Sequence, residues 1–226
     1  MKLFSIDESS LQAGDHIYSF RNAHIYSHHG IYVGENRVIH FTRTGGNNDD
    51  DDDDDDHIKK IKKSSNYRCE DCGYNPKKRI GVVKSCLDCF HKGHRLFRFE
   101  YGVSSKKFLL SRRTGTCSTG SCIYSLDEVV RRATDMLNSV EGFGDYILLE
   151  NNCETFAVFC KTGKRVSLQA FSMKNKGVIA FKDFTSQSFS LKNTARTMFN
   201  LAVRQKFDTL RYDIRVHQQD YDGDDR

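Results

Sequence analysis

Hydrophobic and polar residues alternate over two stretches near the start of the chain. The alternation covers residues 15–20, DHIYSF, and residues 28–42, where the turn-forming segment Gly34-Glu35-Asn36 interrupts it. A period of two residues is typical of β-strands with one buried face. The pattern therefore predicts one strand followed by a β-hairpin. Alternation in RLFRFEYGV and KFLL predicts two further strands later in the chain.

A helical period is clearest in SLDEVVRRATDMLNSVEG, residues 125–142, where apolar residues recur every three or four positions. Ser125 and Glu128 have the spacing of a capping box, and Gly142 fits the end of the helix. A second helix is predicted from Cys153 to Thr162, ended by Gly163. Residues 194–211 predict a terminal helix.

The length of 226 residues and the hydrophobic fraction of 38% suit one medium domain with insertions, or one domain and a small satellite. The patterns predict a main domain over 1–165, the candidate catalytic domain once the resemblance described below is considered, and a partly helical extension over 166–226 that ends in a disordered tail. No apolar run approaches the ~18 residues needed to cross a bilayer, and the first residues do not form a signal peptide. We therefore expect a cytoplasmic protein.

Charge is distributed unevenly along the chain. Residues 49–56 are eight consecutive aspartates, and removing them from the formal net charge of +5 leaves +13 on the rest. A run of like charges repels itself, so residues 45–66 are predicted to be a disordered insert. The basic remainder favours an anionic partner, either phospholipid head groups or nucleic acid, and charge alone does not choose between them.

Cys153 stands at the start of a predicted helix, directly after two asparagines. Peptide dipoles at a helix N-terminus stabilise a thiolate, so this position suits a nucleophile. It also suits a small buried residue with no chemical role. A catalytic cysteine needs a base within hydrogen-bond reach and a third group to orient the base.

The predicted hairpin offers His28, His29 and His40 as partners for the cysteine. Because side chains alternate between faces, a two-residue turn at Glu35-Asn36 would place His29 and His40 on one face. A three-residue turn at Gly34-Glu35-Asn36 would instead place His28 diagonally beside His40. Diagonal neighbours lie ~7–8 Å apart, too far for a direct hydrogen bond but suitable for flanking a third group.

Two Cys-x-x-Cys pairs, separated by thirteen residues, lie in a segment over 67–94. Four thiolates at this spacing are typical of a tetrahedral zinc site, which stabilises a short polar segment that cannot bury a core. His91 or His94 could replace one cysteine, and a redox role is the less favoured interpretation. The predicted ligands of this structural zinc knuckle are Cys69, Cys72, Cys86 and Cys89.

HHGIYVGENRVIHF, with LQAGDHIYSF before it and NNCETFAVF after it, resembles the LRAT-like (lecithin:retinol acyltransferase-like) proteins, also called NC-domain proteins. That family carries H-x-G/A-I-Y-V/L-G, a second histidine twelve residues after the first, and later N-C-E-x-F. The spacing selects His28 and His40, and residues 152–156 match the cysteine motif. CEDCGYNPKKRIGVVKSCLDCF and RTGTCS look like the plant-type branch in particular.

The resemblance implies an α+β fold of the circularly permuted papain-like (NlpC-like) type, with an antiparallel sheet packed on helices. It implies that Cys153 is the nucleophile, His28 its base and His40 the residue that orients His28. The implied activity is acyl transfer or hydrolysis on phospholipids through a thioester on the cysteine, without a catalytic cofactor. The implied partner is a phospholipid, contacted peripherally at a membrane.

Three features depart from the family pattern. Thr155 stands where many animal members have histidine, and Ser27 stands where several have a basic residue that helps bind the lipid or the oxyanion. The C-terminal apolar anchor typical of animal members is missing from the pattern. Any membrane contact is therefore expected to be peripheral and to depend on basic residues.

Two other classes of function remain open. A papain-like core also suits a cysteine peptidase or amidase, which would form its acyl-enzyme from a peptide instead of a phospholipid. A non-catalytic, zinc-stabilised interaction module would keep the fold without the activity, and the His28, His40 and Cys153 set argues against it. Nucleic-acid binding ranks last because the segment over 67–94 has no base-stacking or recognition-helix pattern.

Overall fold

The computed structural model describes residues 5–21, 26–43, 68–76, 81–111, 113–175 and 194–218. Five strands form one antiparallel sheet in the order β4-β3-β2-β1-β5. The strands are β1 (His16–Arg21), β2 (Tyr26–Gly34), β3 (Arg37–Thr42), β4 (Gly81–Cys86) and β5 (Leu96–Arg98). The α+β class is therefore confirmed. The acidic insert and the last eight residues of the predicted tail lie outside the described residues.

Helices accompany the sheet: one lies between β4 and β5, and the others follow β5 in the chain. They are α1 (Leu87–His91), α2 (Ser105–Leu110), α3 (Leu126–Asn138), α4 (Cys153–Thr162), α5 (168–175) and α6 (Thr194–Gln218), and a short 3₁₀ helix, Glu8–Ser10, precedes β1. The structure confirms both predicted strands of the hairpin and the strand in RLFRFEYGV. It also confirms helix α4, which Gly163 ends. The terminal helix extends seven residues beyond the predicted end.

KFLL was predicted to be a strand and instead lies in helix α2. The hydroxyl oxygen of Ser104 accepts a hydrogen bond from the Lys107 backbone N–H, which caps the helix at its start. Only Phe108 of this helix is fully buried, so its apolar residues do not form the alternating face that a strand requires. A serine followed by lysines and leucines was the signal that should have favoured a helix.

The β2–β3 hairpin combines the two turns that the sequence left open. Glu35 and Asn36 both have left-handed backbone angles, with φ of 50° and 58°, and form a two-residue turn. The register then shifts between Tyr32 and Gly34, so that Gly30 lies opposite His40. A β-bulge therefore gives the histidines the relative positions expected for the longer turn.

The two faces of the sheet carry different layers. One face packs on α3 and α4, in a core that includes Ile31, Ile39, Phe41, Val129, Ala133, Phe143 and Phe156. The opposite face packs on α1, with Leu87 and Phe90 against Ile17 and Val38. Since residues alternate along β2 and β3, the side chains of His28 and His40 belong to the face that α1 covers.

Helix α6 completes a further core beneath α4. Leu210 packs in one cluster with Val158 of α4. Asp213 has 0% exposure, and its carboxylate accepts hydrogen bonds from the Ser118 hydroxyl (2.7 Å) and from the Thr119 backbone N–H (2.6 Å). A buried, hydrogen-bonded carboxylate fixes the helix in one position. The described part of the extension therefore packs on the domain.

Candidate active site

His28 and His40 form a hydrogen-bonded pair across β2 and β3. His28 Nε2 lies 3.0 Å from His40 Nδ1, and the two rings are nearly perpendicular, at 86°. The sequence-based expectation that these side chains are too far apart for a direct bond was wrong. The rings lean toward each other over Gly30, which lies opposite His40 and has no side chain to separate them.

The second nitrogen of His40 is also hydrogen-bonded. His40 Nε2 lies 3.0 Å from the hydroxyl oxygen of Ser85 on the neighbouring strand β4. Phe90 packs on both imidazoles, with ring centroids 5.2 Å from His28 and 5.4 Å from His40. Tyr74 packs on His40 from the cysteine-rich loop. Sequence reasoning missed these contacts because it treated the cysteine-rich segment as a separate insert.

Cys153 is the first residue of α4 and is 2% exposed. Asn152 caps the helix, since its side-chain oxygen accepts the Thr155 backbone N–H and the Thr155 hydroxyl faces the Asn152 backbone N–H. Asn152 is therefore the N-cap of α4. The position of Thr155 in the capping box also explains how a residue other than histidine is accommodated there.

The thiol hydrogen-bonds to backbone and tyrosine in the described structure. Cys153 Sγ lies 3.7 Å from the carbonyl oxygen of Ser27 and 4.0 Å from the Tyr146 hydroxyl. Among the described residues, no hydrogen bond joins this sulfur to His28 or His40. The structure thus places His28 and His40 in direct contact. It places the Cys153 thiol against Ser27, the residue directly before His28.

The thiol reaches this carbonyl because the β2–β3 ladder stops short of it. The last pair of the ladder is Gly30 with His40, so β3 does not pair with Ser27. The start of α4 lies at this open end of the ladder, where the Cys153 thiol donates to the Ser27 carbonyl oxygen, which also accepts from Gln169 Nε2 at 3.5 Å. The imidazole pair lies at the same end of the ladder, on the face of the sheet that α1 covers.

Burial controls the ionisation of the site. It raises the pKa of Cys153 to about 11, against a smaller lowering by hydrogen bonds to the His29 backbone and to the Tyr146 hydroxyl. Burial also lowers the pKa of His40 to about 3, and burial followed by repulsion from His40 lowers the pKa of His28 well below its usual value. The resting site is neutral at pH 7. The helix N-terminus does not by itself supply the expected thiolate.

A buried polar network holds the strand that carries His28. The side-chain oxygen of Gln169 accepts hydrogen bonds from the Ser27 backbone N–H (2.7 Å) and hydroxyl (3.1 Å). Glu154 in turn accepts hydrogen bonds from the Gln169 backbone N–H (2.9 Å) and from the Ser167 hydroxyl. Ser27 is fully buried by these contacts, so its side chain cannot meet a lipid as proposed for the basic residue of other members.

His29 belongs to a separate network on the opposite face of β2 from His28. Its Nε2 lies 2.8 Å from the Ser27 hydroxyl, and its Nδ1 lies 2.9 Å from His16 Nε2. His16 Nδ1 is in turn 2.8 Å from the Tyr101 hydroxyl. Every ring nitrogen of His16 and His29 is therefore hydrogen-bonded within the core. This arrangement supports a structural role for His29.

The two Cys-x-x-Cys pairs converge on one point. Their sulfur atoms all lie within 4.8 Å of one another, with 3.9 Å between Cys69 and Cys86 and 3.8 Å between Cys72 and Cys89. Among the described residues, neither histidine of the segment joins this cluster: His91 Nε2 lies instead 3.4 Å from Asp88. The four-cysteine cluster is thus the one that the spacing predicted.

The cluster is joined to the main sheet. Cys86 is the last residue of β4 and caps helix α1, where its sulfur accepts the Cys89 backbone N–H. The opposite loop is fixed to β3 because the Arg37 guanidinium donates two hydrogen bonds to the Asp71 carboxylate, at 2.9 and 3.2 Å. Strand β4 had not been predicted.

These features define a class of α+β proteins in which a cysteine at a helix start contacts the strand of an antiparallel sheet that carries one histidine of a hydrogen-bonded pair. A family model described as lecithin retinol acyltransferase matches residues 9–166. The chain belongs to this family, and the sequence-based resemblance is confirmed.

Similar proteins come from plants and animals. "Protein LEAD-SENSITIVE 1" from Arabidopsis thaliana is 46% identical over 173 residues, which are 76% of this chain and 65% of that protein. Lecithin retinol acyltransferase from Mus musculus is 30% identical over 158 residues, 70% of this chain and 58% of the mouse protein. The chain thus spans less than two thirds of the length of these relatives.

Within the described residues, no helix combines the length and the apolar character that a membrane crossing requires.

Proposed function

We propose that this protein is a cysteine-dependent phospholipase or acyltransferase that takes the acyl group of a phospholipid onto Cys153 as a thioester. The observation that carries the proposal is that the Cys153 thiol hydrogen-bonds to the carbonyl of Ser27, the residue directly before His28 of the hydrogen-bonded His28–His40 pair. The lecithin retinol acyltransferase relatives support a phospholipid as the acyl donor.

The reaction begins when His28 takes the proton of the Cys153 thiol and the sulfur attacks the ester carbonyl carbon. Because both groups are neutral at rest, proton transfer accompanies the attack rather than preceding it. The acyl C–O bond then breaks, and His28 returns the proton to the oxygen of the leaving lysophospholipid. Water, or an amine or hydroxyl acceptor, next attacks the thioester with His28 again as the base.

In the resting structure the sulfur donates to the Ser27 carbonyl rather than to an imidazole. Displacement of the thiol from the Ser27 carbonyl is the step that we propose brings it to His28. Catalytic hydrogen bonds commonly tighten only when the substrate binds. The order of elements, with both histidine strands before the nucleophile helix, supports the circularly permuted papain-like assignment.

Exposed apolar residues support peripheral contact with a lipid surface, which we place on the cytoplasmic side. Ile147, Leu148 and Leu149 are between 37% and 49% exposed and lie in the turn directly before Asn152. Apolar side chains that insert at the headgroup boundary would bring the ester bond of a phospholipid close to the start of α4.

The test is to incubate the protein with mixed phospholipid vesicles and to identify the lipid products and the mass of the Cys153 peptide. We expect lysophospholipid and an acyl adduct on Cys153, both abolished in Cys153→Ala. Cys122→Ala is the matched control, because Cys122 is exposed and lies outside the site. Cleavage of peptides with phospholipids untouched would support the peptidase alternative, and no adduct with any donor would support a non-catalytic module.

We further propose that the four-cysteine cluster holds one structural zinc ion. Zn–S bonds of ~2.3 Å in a tetrahedron require sulfur atoms about 3.8 Å apart. The distances of 3.8 and 3.9 Å between paired sulfurs fit this requirement, and thiolates suit zinc. The ion would tie the loop of Cys69 and Cys72 to strand β4 and helix α1.

A further inference from the structure

The hydroxyl of Ser85 has only one proton to donate. Ser85 is completely buried, and its Oγ lies 3.1 Å from the carbonyl oxygen of Cys86, which can only accept. The same Oγ lies 3.0 Å from His40 Nε2. Since the hydroxyl proton is used on the Cys86 carbonyl, Oγ must accept from His40, and His40 Nε2 must carry a proton.

The assignment of a proton to His40 Nε2 also fixes which atom donates in the His28–His40 hydrogen bond. Burial keeps His40 neutral at pH 7, so a proton on Nε2 leaves Nδ1 unprotonated. His40 Nδ1 can then only accept, and the hydrogen bond of 3.0 Å requires His28 Nε2 to donate. His28, also neutral, is left with an unprotonated Nδ1, which has no hydrogen-bond partner among the described residues.

We propose that Ser85 is a positioning residue that sets the tautomers of both histidines, so that His28 Nδ1 is the nitrogen that receives the thiol proton. Without an acceptor at the position of Ser85, the protons could equally lie on the Nδ1 atoms of His40 and His28. His28 would then present an N–H and could not act as a base. Ser85 therefore favours the pair of tautomers in which His28 Nδ1 is unprotonated and can act as a base.

The four-cysteine cluster holds the acceptor that gives Ser85 its polarity. The carbonyl group belongs to Cys86, which pairs with Arg37 in the sheet and caps α1 through its sulfur. Phe90, one residue after Cys89, packs on both imidazoles and limits their rotation. The cysteine-rich segment therefore has two effects on the histidine pair. Its Cys86 carbonyl fixes the hydrogen-bond direction of Ser85, and its Phe90 packs on both rings.

The test is nitrogen-15 NMR of the histidine rings in the resting protein, where protonated and unprotonated ring nitrogens have distinct shifts. Signals are assigned by their loss in His28→Asn and His40→Asn. In the wild type we expect His28 and His40 both protonated at Nε2 and unprotonated at Nδ1. His28 protonated at Nδ1 would overturn the proposal.

Variants then test the role of the hydroxyl. In Ser85→Ala we expect both histidines to exchange between tautomers, and the single-turnover rate of Cys153 acylation to fall roughly tenfold, part of what a positioned base supplies. Lys84→Ala, an exposed neighbour on β4, should keep the wild-type tautomers and rate. An unchanged tautomer pattern in a folded Ser85→Ala would remove Ser85 from this role.

The proposal rests on the role proposed for His28, yet the two can fail separately. The expected tautomers without any acyl adduct on Cys153 would leave the Ser85 assignment standing and contradict the proposed enzymatic function. An acyl adduct together with His28 protonated at Nδ1 would do the reverse.

Discussion

Gly30 lies directly opposite His40 in the β2–β3 ladder, and this position has no room for a side chain. A Cβ at Gly30 would lie 2.9 Å from Phe90 Cε2 and 3.1 Å from the Cβ of His40. It would also lie 2.7 Å from Val38 Cγ1. In this chain Gly30 is thus needed for the close approach of Phe90 to the histidine pair, rather than for an unusual backbone angle.

The first prediction is that Gly30→Ala displaces Phe90 and His40. Overpacking should lower the free energy of unfolding by roughly 1–3 kcal/mol. Misplacement of the histidine pair should lower the acylation rate of Cys153 by roughly 100-fold. Urea unfolding and single-turnover acylation measure the two effects on the same samples.

The control is Ile39→Val, because Ile39 is buried on the opposite face of β3. It should cost roughly 0.5–1.5 kcal/mol of stability without a comparable loss of rate. Equal rates in the two variants would mean that Gly30 has only a packing role.

The second prediction concerns the reactivity of the Cys153 thiol. Because burial raises its pKa to about 11, the rate of alkylation should keep rising with pH through about pH 9, without a plateau. Tyr146→Phe should slow alkylation further, since the Tyr146 hydroxyl is one of the groups that lower this pKa. Alkylation is followed by mass spectrometry of the Cys153 peptide in a Cys122→Ala background, and a plateau below about pH 7 would indicate a preformed thiolate.

The third prediction concerns Glu154, whose carboxyl is fully buried. Burial raises its pKa from 4.5 to about 7, despite hydrogen bonds from Ser167 and Gln169. The folded protein therefore binds a proton more tightly than the unfolded chain does. This contribution to stability is fully present below pH 4.5 and is lost as the pH rises through 7. The shift corresponds to about 3 kcal/mol.

The buried histidines have the opposite effect on stability. Their pKa values are lowered in the fold, so their contribution is present above pH 6.5 and is lost as the pH falls. The comparison is therefore between wild type and Glu154→Gln, by urea unfolding at pH 5 and pH 8. The buried Glu154 carboxyl stabilises the folded protein at pH 5 relative to pH 8. Glu154→Gln should remove this contribution to the free energy of unfolding, whereas the exposed Glu141→Gln should keep it. Parallel pH profiles of wild type and Glu154→Gln would contradict the raised pKa.

The sequence predicted those parts of the fold and site that depend on local patterns. Alternation located the hairpin, and Gly163 located the end of α4, because both signals act within a few residues. Strand β4 was missed because its apolar residues lie between cysteines, which dominated the interpretation of the segment. Its identity as a strand depends on pairing with β3, at long range in the chain.

Residues that act through tertiary contacts gave no signal in the sequence. Gln169 and Ser167 lie just beyond the family match, yet they hold Ser27 and Glu154. Ser85 looked like an ordinary strand residue until β4 was placed beside His40. The burial that raises the pKa of Cys153 was equally invisible, because a helix N-terminus in the sequence does not reveal how deeply its first residue lies.

The fourth prediction concerns metal content and its effect on stability. We expect one zinc ion per chain, and a strong chelator should lower the free energy of unfolding by about 4 kcal/mol if zinc is otherwise present at a thousand times its dissociation constant. The loss arises because the loop of Cys69 and Cys72 is then fixed to β4 only by weaker contacts. Metal is counted by elemental analysis, and stability is measured by urea unfolding with and without the chelator.

Matched serine variants locate the effect. Cys72→Ser should lower the zinc content and remove most of the chelator effect, since only three thiolates remain at the cluster. Cys122→Ser should leave both unchanged, because Cys122 lies outside the cluster. Arg37→Ala, which removes the hydrogen bonds to Asp71, should weaken zinc binding roughly 10-fold or more while keeping the stoichiometry. A wild-type protein that folds equally well with and without metal would show that the four thiols are held by the sheet and α1 alone.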